Sequence, residues 1–116
     1  MLQHATLEIR REQLDACVSF YALVGFERVE PPASLADRAA WLQRGTTQIH
    51  LLWVDDPVSL PRGHVAVVVE DYQATCRSLA AAGHEPEARR EHWGSPRAVV
   101  RDPAGNLVEL MAFSPA

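Results

Sequence analysis

A weak internal repeat is the feature that most constrains what this chain can fold into. A strand-like stretch at 4–9 (HATLEI) has a counterpart sixty residues later at 64–69 (HVAVVV), and both open with histidine. Each stretch is followed by apolar residues at helical spacing, which predict helices over 13–23 and 71–82. A repeat of this period indicates two copies of one supersecondary unit.

The second half of each copy also matches. Residues 40–54 and residues 97–113 each predict a β-hairpin, because alternating segments flank a short turn. Short stretches at 26–30 and 85–91 supply one further strand to each copy. Each copy therefore reads as one strand, one helix and three strands, a βαβββ module of the α+β class.

The chain of 116 residues predicts a single domain built from both modules. We place module 1 at 1–56 and module 2 at 62–116, with a proline-containing connector at 55–63 between them. Apolar residues make up 47% of the chain, enough to form a core.

Charge and cysteine content exclude several classes of protein. Eleven Lys and Arg against 15 Asp and Glu give a net charge of −4. Proteins that bind the phosphates of nucleic acids, and polybasic membrane anchors, are usually basic, so neither class is expected. No apolar run reaches the ~18 residues of a membrane span, and no signal-peptide pattern opens the chain, so we expect a cytoplasmic protein. Cys17 and Cys76 form no CxxC pair and are predicted to be free thiols.

Strand alternation places four residues of metal-ligand type on the same face of the predicted sheets. His4, His50, His64 and Glu109 all fall on the strand face turned away from the helix of their own module. If that face curls, the four converge, and three imidazoles with one carboxylate suit Zn, Ni, Co, Mn or Fe better than Ca. The alternative for each histidine is a solvated side chain. The alternative for Glu109 is a cation partner such as Arg101, since a lone buried carboxylate is costly.

Four segments carry a resemblance to a known superfamily: LQHATL at 2–7, SFYALVGF at 19–26, GHVA at 63–66 and RDPAGNLVEL at 101–110. In them the chain resembles the vicinal oxygen chelate superfamily, also called the glyoxalase/bleomycin-resistance/dioxygenase superfamily. The resemblance implies two βαβββ modules that form an open half-barrel sheet around a cleft.

The resemblance also implies a metal site and an assembly. Family metal ligands lie on the first and last strands of each module, at the places of His4, His50, His64 and Glu109. Many small members are homodimers, which suggests that the first pair of one subunit joins the second pair of its partner. Glu109 then corresponds to a ligand that also moves a proton, and so to a catalytic residue.

Several activities remain open within the superfamily. Lyase or isomerase chemistry of the glyoxalase type, on a small substrate with vicinal oxygens, ranks first. Glu8 stands where glutathione-dependent members commonly carry arginine, which argues against a glutathione substrate. Fe(II) extradiol-type dioxygenase and thiol transferase activities rank lower. A metal-free drug-binding protein of the bleomycin-resistance type is the rival from another class, and its stacking groups would include Trp41, Trp53 and Trp93.

Substrate contacts follow from the same alternation. The side chains expected to line the cleft are Thr6, Glu8, Leu52, Met111 and Phe113, with Trp41 and Trp93 at its border. The segment 92–97 is either a cover over the cleft or a plain hairpin connection. The apolar share of this lining suggests a small, partly hydrophobic substrate.

Overall fold

The computed structural model describes all 116 residues and contains eight strands and two α-helices. In chain order these are β1 (His4–Ile9), α1 (Leu14–Ala22), β2 (Glu27–Val29), β3 (Ala39–Arg44), β4 (Thr47–Trp53), β5 (Val65–Val68), α2 (Tyr72–Ala81), β6 (Glu87–Arg89), β7 (Arg97–Arg101) and β8 (Leu107–Met111). A 3-10 turn precedes α1. The predicted α+β class with two βαβββ modules is confirmed.

The two modules have the same sheet topology. One sheet has the order β1-β4-β3-β2 and the other the order β5-β8-β7-β6. The first strand of each module pairs parallel with the last strand, and the other pairs are antiparallel. His50 lies opposite Thr6, and Glu109 lies opposite Ala66. His50 and Glu109 therefore occupy equivalent positions in the two copies.

Local chemistry explains where α2 begins and where both helices end. The Asp71 carboxylate accepts a hydrogen bond from the Ala74 N–H at 3.0 Å, which satisfies a free donor of the first turn. Gly25 and Gly83 follow α1 and α2 with φ of 95° and 91°, a backbone conformation that glycine adopts without strain. Neither helix is long and apolar enough to cross a membrane.

A single hydrophobic core joins both modules. Its fully buried side chains come from α1, α2 and the helix-facing sides of both sheets: Ile9, Cys17, Phe20, Tyr21, Leu42, Ile49, Leu51, Leu79, Val108 and Leu110. Two polar contacts add to this junction. The Tyr21 hydroxyl donates to Asp102 Oδ2 at 2.7 Å, and Asn106 Nδ2 donates to the Glu8 carbonyl at 3.1 Å.

The last strand is shorter than its alternation predicts. Strand β8 ends at Met111, and the Ser95 hydroxyl then accepts from the N–H groups of Ala112 and Phe113 at 3.0 and 3.1 Å. The Ala112 N–H also donates to the Pro96 carbonyl at 3.2 Å, so a side chain is the partner of this backbone beside one last carbonyl. The expectation that β8 extends to Phe113 is wrong, and the exposed Phe113 side chain stays only a predicted cleft contact.

Candidate functional site

Module 1 brings His4 and His50 together on the neighbouring strands β1 and β4. Their rings stack with centroids 4.0 Å apart and an angle of 17° between planes. The Trp41 ring of β3 lies parallel to the His50 ring at 4.2 Å. The open face of this sheet therefore carries a stack of three aromatic rings.

One nitrogen of each imidazole in module 1 has a protein partner. His4 Nδ1 lies 2.6 Å from Gln3 Oε1, and His50 Nε2 lies 2.7 Å from Gln48 Oε1. The other ring nitrogen of each histidine makes no protein hydrogen bond. Burial, with a smaller contribution from His4, lowers the pKa of His50 and favours the neutral imidazole, the form that binds a metal.

Module 2 brings His64 and Glu109 together. His64 Nε2 lies 3.1 Å from Glu109 Oε1, and the carboxylate is buried. His64 Nδ1 lies 2.7 Å from the Arg62 carbonyl, which can only accept, so Nδ1 carries a hydrogen. In the neutral imidazole the lone pair of Nε2 then faces a carboxylate oxygen. Such a contact is stabilised by a proton or a metal ion that both atoms share.

The second oxygen of Glu109 is held by an arginine of β7. Arg97 Nε donates to Glu109 Oε2 at 3.2 Å. Arg101, the partner suggested from the sequence, instead donates to the carbonyls of Gly105 and Pro61 at 2.8 and 3.3 Å. Both arginines lie on the open face of β7, so alternation alone did not separate them.

The four predicted ligands form two pairs in one chain and do not converge into one site. No group of three or more His, Cys, Asp or Glu side chains that could hold a metal occurs in the protein. Each pair offers two donors of the type that borderline divalent ions prefer. The donor set therefore fits a metal when one pair meets the other.

Two clefts reach His64, and one of them also contains Glu109. That cleft, of about 670 Å³, lies over the open face of the second sheet and contains His64, Arg97 and Glu109. The other, of about 390 Å³, lies between the modules and contains Thr6, Glu8 and His64. Only 3 of the 14 residues that line the larger cleft are hydrophobic, and none of them is a predicted contact residue.

The remaining predicted contact residues divide by their surroundings. Leu52 and Met111 lie on the open faces at equivalent positions, opposite Glu8 and Val68. The Glu8 carboxylate accepts from the Val58 N–H at 2.9 Å and so also holds the connector between the modules. The Trp93 indole donates to the Phe113 carbonyl at 2.8 Å, which fastens the 92–97 loop to the C-terminal segment.

A family model of the glyoxalase-like domain matches residues 6–111, nearly the whole chain. The chain belongs to the glyoxalase-like domain family. It is therefore a member of the vicinal oxygen chelate superfamily, as the sequence motifs indicated. No curated protein sequence matches the chain significantly.

Solved structures share the fold of this glyoxalase-like protein. A Bacillus anthracis protein assigned to the glyoxalase family has a TM-score of 0.86 at 24% identity, over 96% of this chain and 93% of that one. Lactoylglutathione lyase from Agrobacterium tumefaciens has a TM-score of 0.72 at 22% identity, over 96% and 92%. A fosfomycin resistance protein from Listeria monocytogenes, in complex with Mn(II) and 1S,2S-dihydroxypropylphosphonic acid, has a TM-score of 0.78 at 19% identity, over 98% and 90%.

Sequence reasoning missed two polar residues of this glyoxalase-like site. Gln48 orients His50 and in turn donates to Gln43 Oε1 at 2.8 Å, a chain of contacts that extends across the sheet. Arg97 was predicted to begin the hairpin at 97–113 and to end the 92–97 segment, but it was not predicted to contact Glu109. Its position at the start of an alternating strand, in register with the Glu109 face, was the available signal.

Proposed function

We propose that the protein is a divalent-metal-dependent enzyme with lyase or isomerase chemistry on a small substrate that carries vicinal oxygens. The contact between His64 Nε2 and Glu109 Oε1 carries this proposal, because with the hydrogen on Nδ1 the two atoms need a shared proton or metal ion between them. A metal ligated by both residues resolves that arrangement. The presence of Mn(II) in a fosfomycin resistance protein of the same fold supports metal chemistry on this scaffold.

We propose further that the site is completed by dimerisation. His4 and His50 of one protomer would join His64 and Glu109 of the partner subunit to give three imidazoles and one carboxylate. Three features support this assembly: each module carries two donors, His50 and Glu109 are equivalent in register, and one chain assembles no set of three. A site that alternates modules in this way forms twice in a symmetric dimer.

The chemistry follows from the residues around Glu109. A bound Zn, Ni, Co, Mn or Fe ion supplies Lewis-acid stabilisation of negative charge that develops on a substrate oxygen. Glu109 is the base that moves a proton between substrate atoms, as its burial and position beside His64 allow. Without a metal, Arg97 and His64 each contact one oxygen of Glu109 and fix its orientation.

Metal content and subunit exchange test this proposal together. One variant carries His4→Ala and His50→Ala, and a second carries His64→Ala and Glu109→Gln. Each is expected to lose the metal that wild-type protein holds, as measured by elemental mass spectrometry. Co-expression with two affinity tags then yields purified heterodimers, in which one of the two composite sites is intact. We expect about half of the wild-type metal content per chain in the heterodimer.

The outcomes separate the two parts of the proposal. A heterodimer without metal would show that each site is built within one chain, while wild-type protein without metal after exposure to each ion would overturn metal dependence. His92→Ala is the matched control, because this exposed histidine belongs to neither pair, and it is expected to keep the full metal content. Iron as the bound metal would direct attention to extradiol-type oxygen chemistry.

The three-ring stack favours a second candidate function, the metal-free binding of a planar molecule. His50 is covered on both faces by His4 and Trp41, so the outer ring faces of Trp41 and His4 are the surfaces suited to stacking. In that case Trp41 fluorescence would be quenched by an aromatic cation in metal-free protein, and the substitutions at His64 and Glu109 would leave the affinity unchanged. A metal enzyme is expected to show the opposite pattern.

A further inference from the structure

Arg97 has no counterpart in module 1. It lies opposite Met111 on the open face of the second sheet, whereas the equivalent residue of the first sheet is Ala39, opposite Leu52. The fold of this module therefore forms with alanine at this position, and the half-buried arginine of module 2 is not required by the architecture. Module 1 also has His50 at the position of Glu109, so Arg97 and its carboxylate partner occur together in module 2 only.

The Arg97 guanidinium is held in place by a contact that does not involve the acid. Its side chain is only 16% exposed, and Nη1 donates to the Arg90 carbonyl at 2.7 Å. The Nε hydrogen points to Glu109 Oε2, while Nη2 makes no protein hydrogen bond. Nε and Nη2 form one edge of the planar group, the edge that binds the two oxygens of an oxyanion.

The charges of Arg97 and Glu109 suggest a role for the Nε and Nη2 edge. Glu109 neutralises Arg97 as long as the carboxylate has no other cation. Under the proposed function, a divalent ion draws on the same carboxylate and leaves the guanidinium without a counter-ion in a half-closed cleft. An uncompensated buried charge is costly, so an anion is favoured beside it. The same cleft carries four arginines against three glutamates, although the chain as a whole is acidic.

We propose that Arg97 binds an anionic group of the substrate, so that the substrate is a small acid whose carboxylate or phosphoryl oxygens lie beside its chelating oxygens. This inference rests on the proposed function for the ion that engages Glu109. Arg97 is then a residue that determines substrate specificity. Glu109 contacts the Nε and Nη2 edge of Arg97 in the absence of metal and leaves that edge when it binds the ion.

The sharpest test removes the metal and the carboxylate together. In the presence of EDTA, Glu109→Gln exposes the Nε and Nη2 edge, and we expect lactate to bind about tenfold more tightly than to wild type. Lactamide has the same shape and vicinal oxygens without the charge, and its affinity is expected to stay unchanged. Both affinities are measured by NMR titration, with the Arg97 Nε–H signal as a local reporter.

Matched variants identify the residue responsible. Adding Arg97→Gln to Glu109→Gln is expected to abolish the gain for lactate, whereas Arg97→Lys retains part of it because the charge stays and the planar edge is lost. Glu85→Gln removes an equal charge from the same cleft without releasing an arginine from an ion pair, and it is expected to give no gain. An equal gain in Glu85→Gln, or a gain that survives Arg97→Gln, would overturn the inference.

A second arm keeps this inference separate from the proposed function. In metal-loaded protein the ion itself favours lactate, so Arg97→Gln is expected to reduce the preference for lactate over lactamide without abolishing it, while the metal content stays at the wild-type level. An unchanged preference with normal metal content would refute the role of Arg97 alone. Absence of metal would refute the proposed function, and the metal-free titration of Glu109→Gln would still decide whether Arg97 binds oxyanions.

Discussion

Buried polar side chains in this protein all have partners. No buried side-chain nitrogen or oxygen lacks a hydrogen bond, and Asp102 shows how this is achieved. Its two oxygens accept from the Tyr21 hydroxyl, from the backbone N–H groups of Ala104 and Asn106, and from the Asn106 amide. This fixed negative charge also acts on the nearby Cys17.

Cys17 is predicted to make stability depend on alkaline pH. Burial, reinforced by the charge of Asp102, raises the pKa of its thiol from 9.0 to about 12. The unfolded chain therefore loses this proton first as the pH rises, and stability that is complete below pH 9 falls toward pH 12. The free energy of unfolding, measured with urea, should fall between pH 9 and 10 in both proteins. The fall in Cys17→Ala should be about 1 kcal/mol smaller than in wild type.

The comparison between pH 9 and 10 isolates the thiol of Cys17. Burial also raises the pKa of Tyr21 above its usual 10.0, so this phenol adds a similar dependence only at higher pH. Equal slopes for wild type and Cys17→Ala between pH 9 and 10 would contradict the prediction.

At the scale of elements, the helices show two ways to begin. Helix α2 has a side-chain cap from Asp71, whereas α1 has no side-chain cap and is preceded by a 3-10 turn. In that turn the Gln13 side chain accepts from the Arg10 N–H at 2.8 Å. Strand β8 ends where the Ser95 hydroxyl accepts from the N–H groups of the next two residues.

The Asp71 cap has a measurable contribution. Asp71→Ala removes the acceptor for the Ala74 N–H and is expected to lower the free energy of unfolding by about 1 kcal/mol. Asp71→Ser should retain most of the stability, because a hydroxyl also caps. Asp15→Ala, in the first turn of α1, removes a similar charge without a capping bond, and a loss as large as that of Asp71→Ala would contradict a capping role.

At the scale of the whole molecule, the turn at 102–105 ties the two modules together. Asp102 receives the Tyr21 hydroxyl from α1, and Asn106 donates to the Glu8 carbonyl of β1. These bonds link the first and last strands that carry His4 and Glu109. The motif that identifies the family thus also holds one module against the other.

Loss of this link is expected to destabilise the protein as one unit. Tyr21→Phe leaves the buried Asp102 with one donor fewer and should cost about 1–2 kcal/mol in urea unfolding. Tyr72→Phe, a half-buried tyrosine of α2 outside the junction, is expected to cost less than about 0.5 kcal/mol. Two separate unfolding transitions in wild type would show that the modules fold independently and that the link contributes little.

The duplication, the module topology and the strand faces of His4, His50 and Glu109 could be predicted from the amino-acid sequence, whereas His64 lies one residue before β5. Those features are local, because strand alternation and helical spacing depend on a few neighbouring residues. The equivalence of His50 and Glu109 followed from the same spacing and holds in the register of both sheets.

Which of these side chains contact each other depends on the packing of the two modules. Arg97 and Arg101 share a strand face. Arg101 donates to carbonyls of the connector and of the turn at 102–105, whereas Arg97 donates to Glu109. The division of four ligand-type residues into two pairs has the same origin. Contacts between residues far apart in sequence depend on how two sheets pack and where loops cross, and no local pattern encodes that placement.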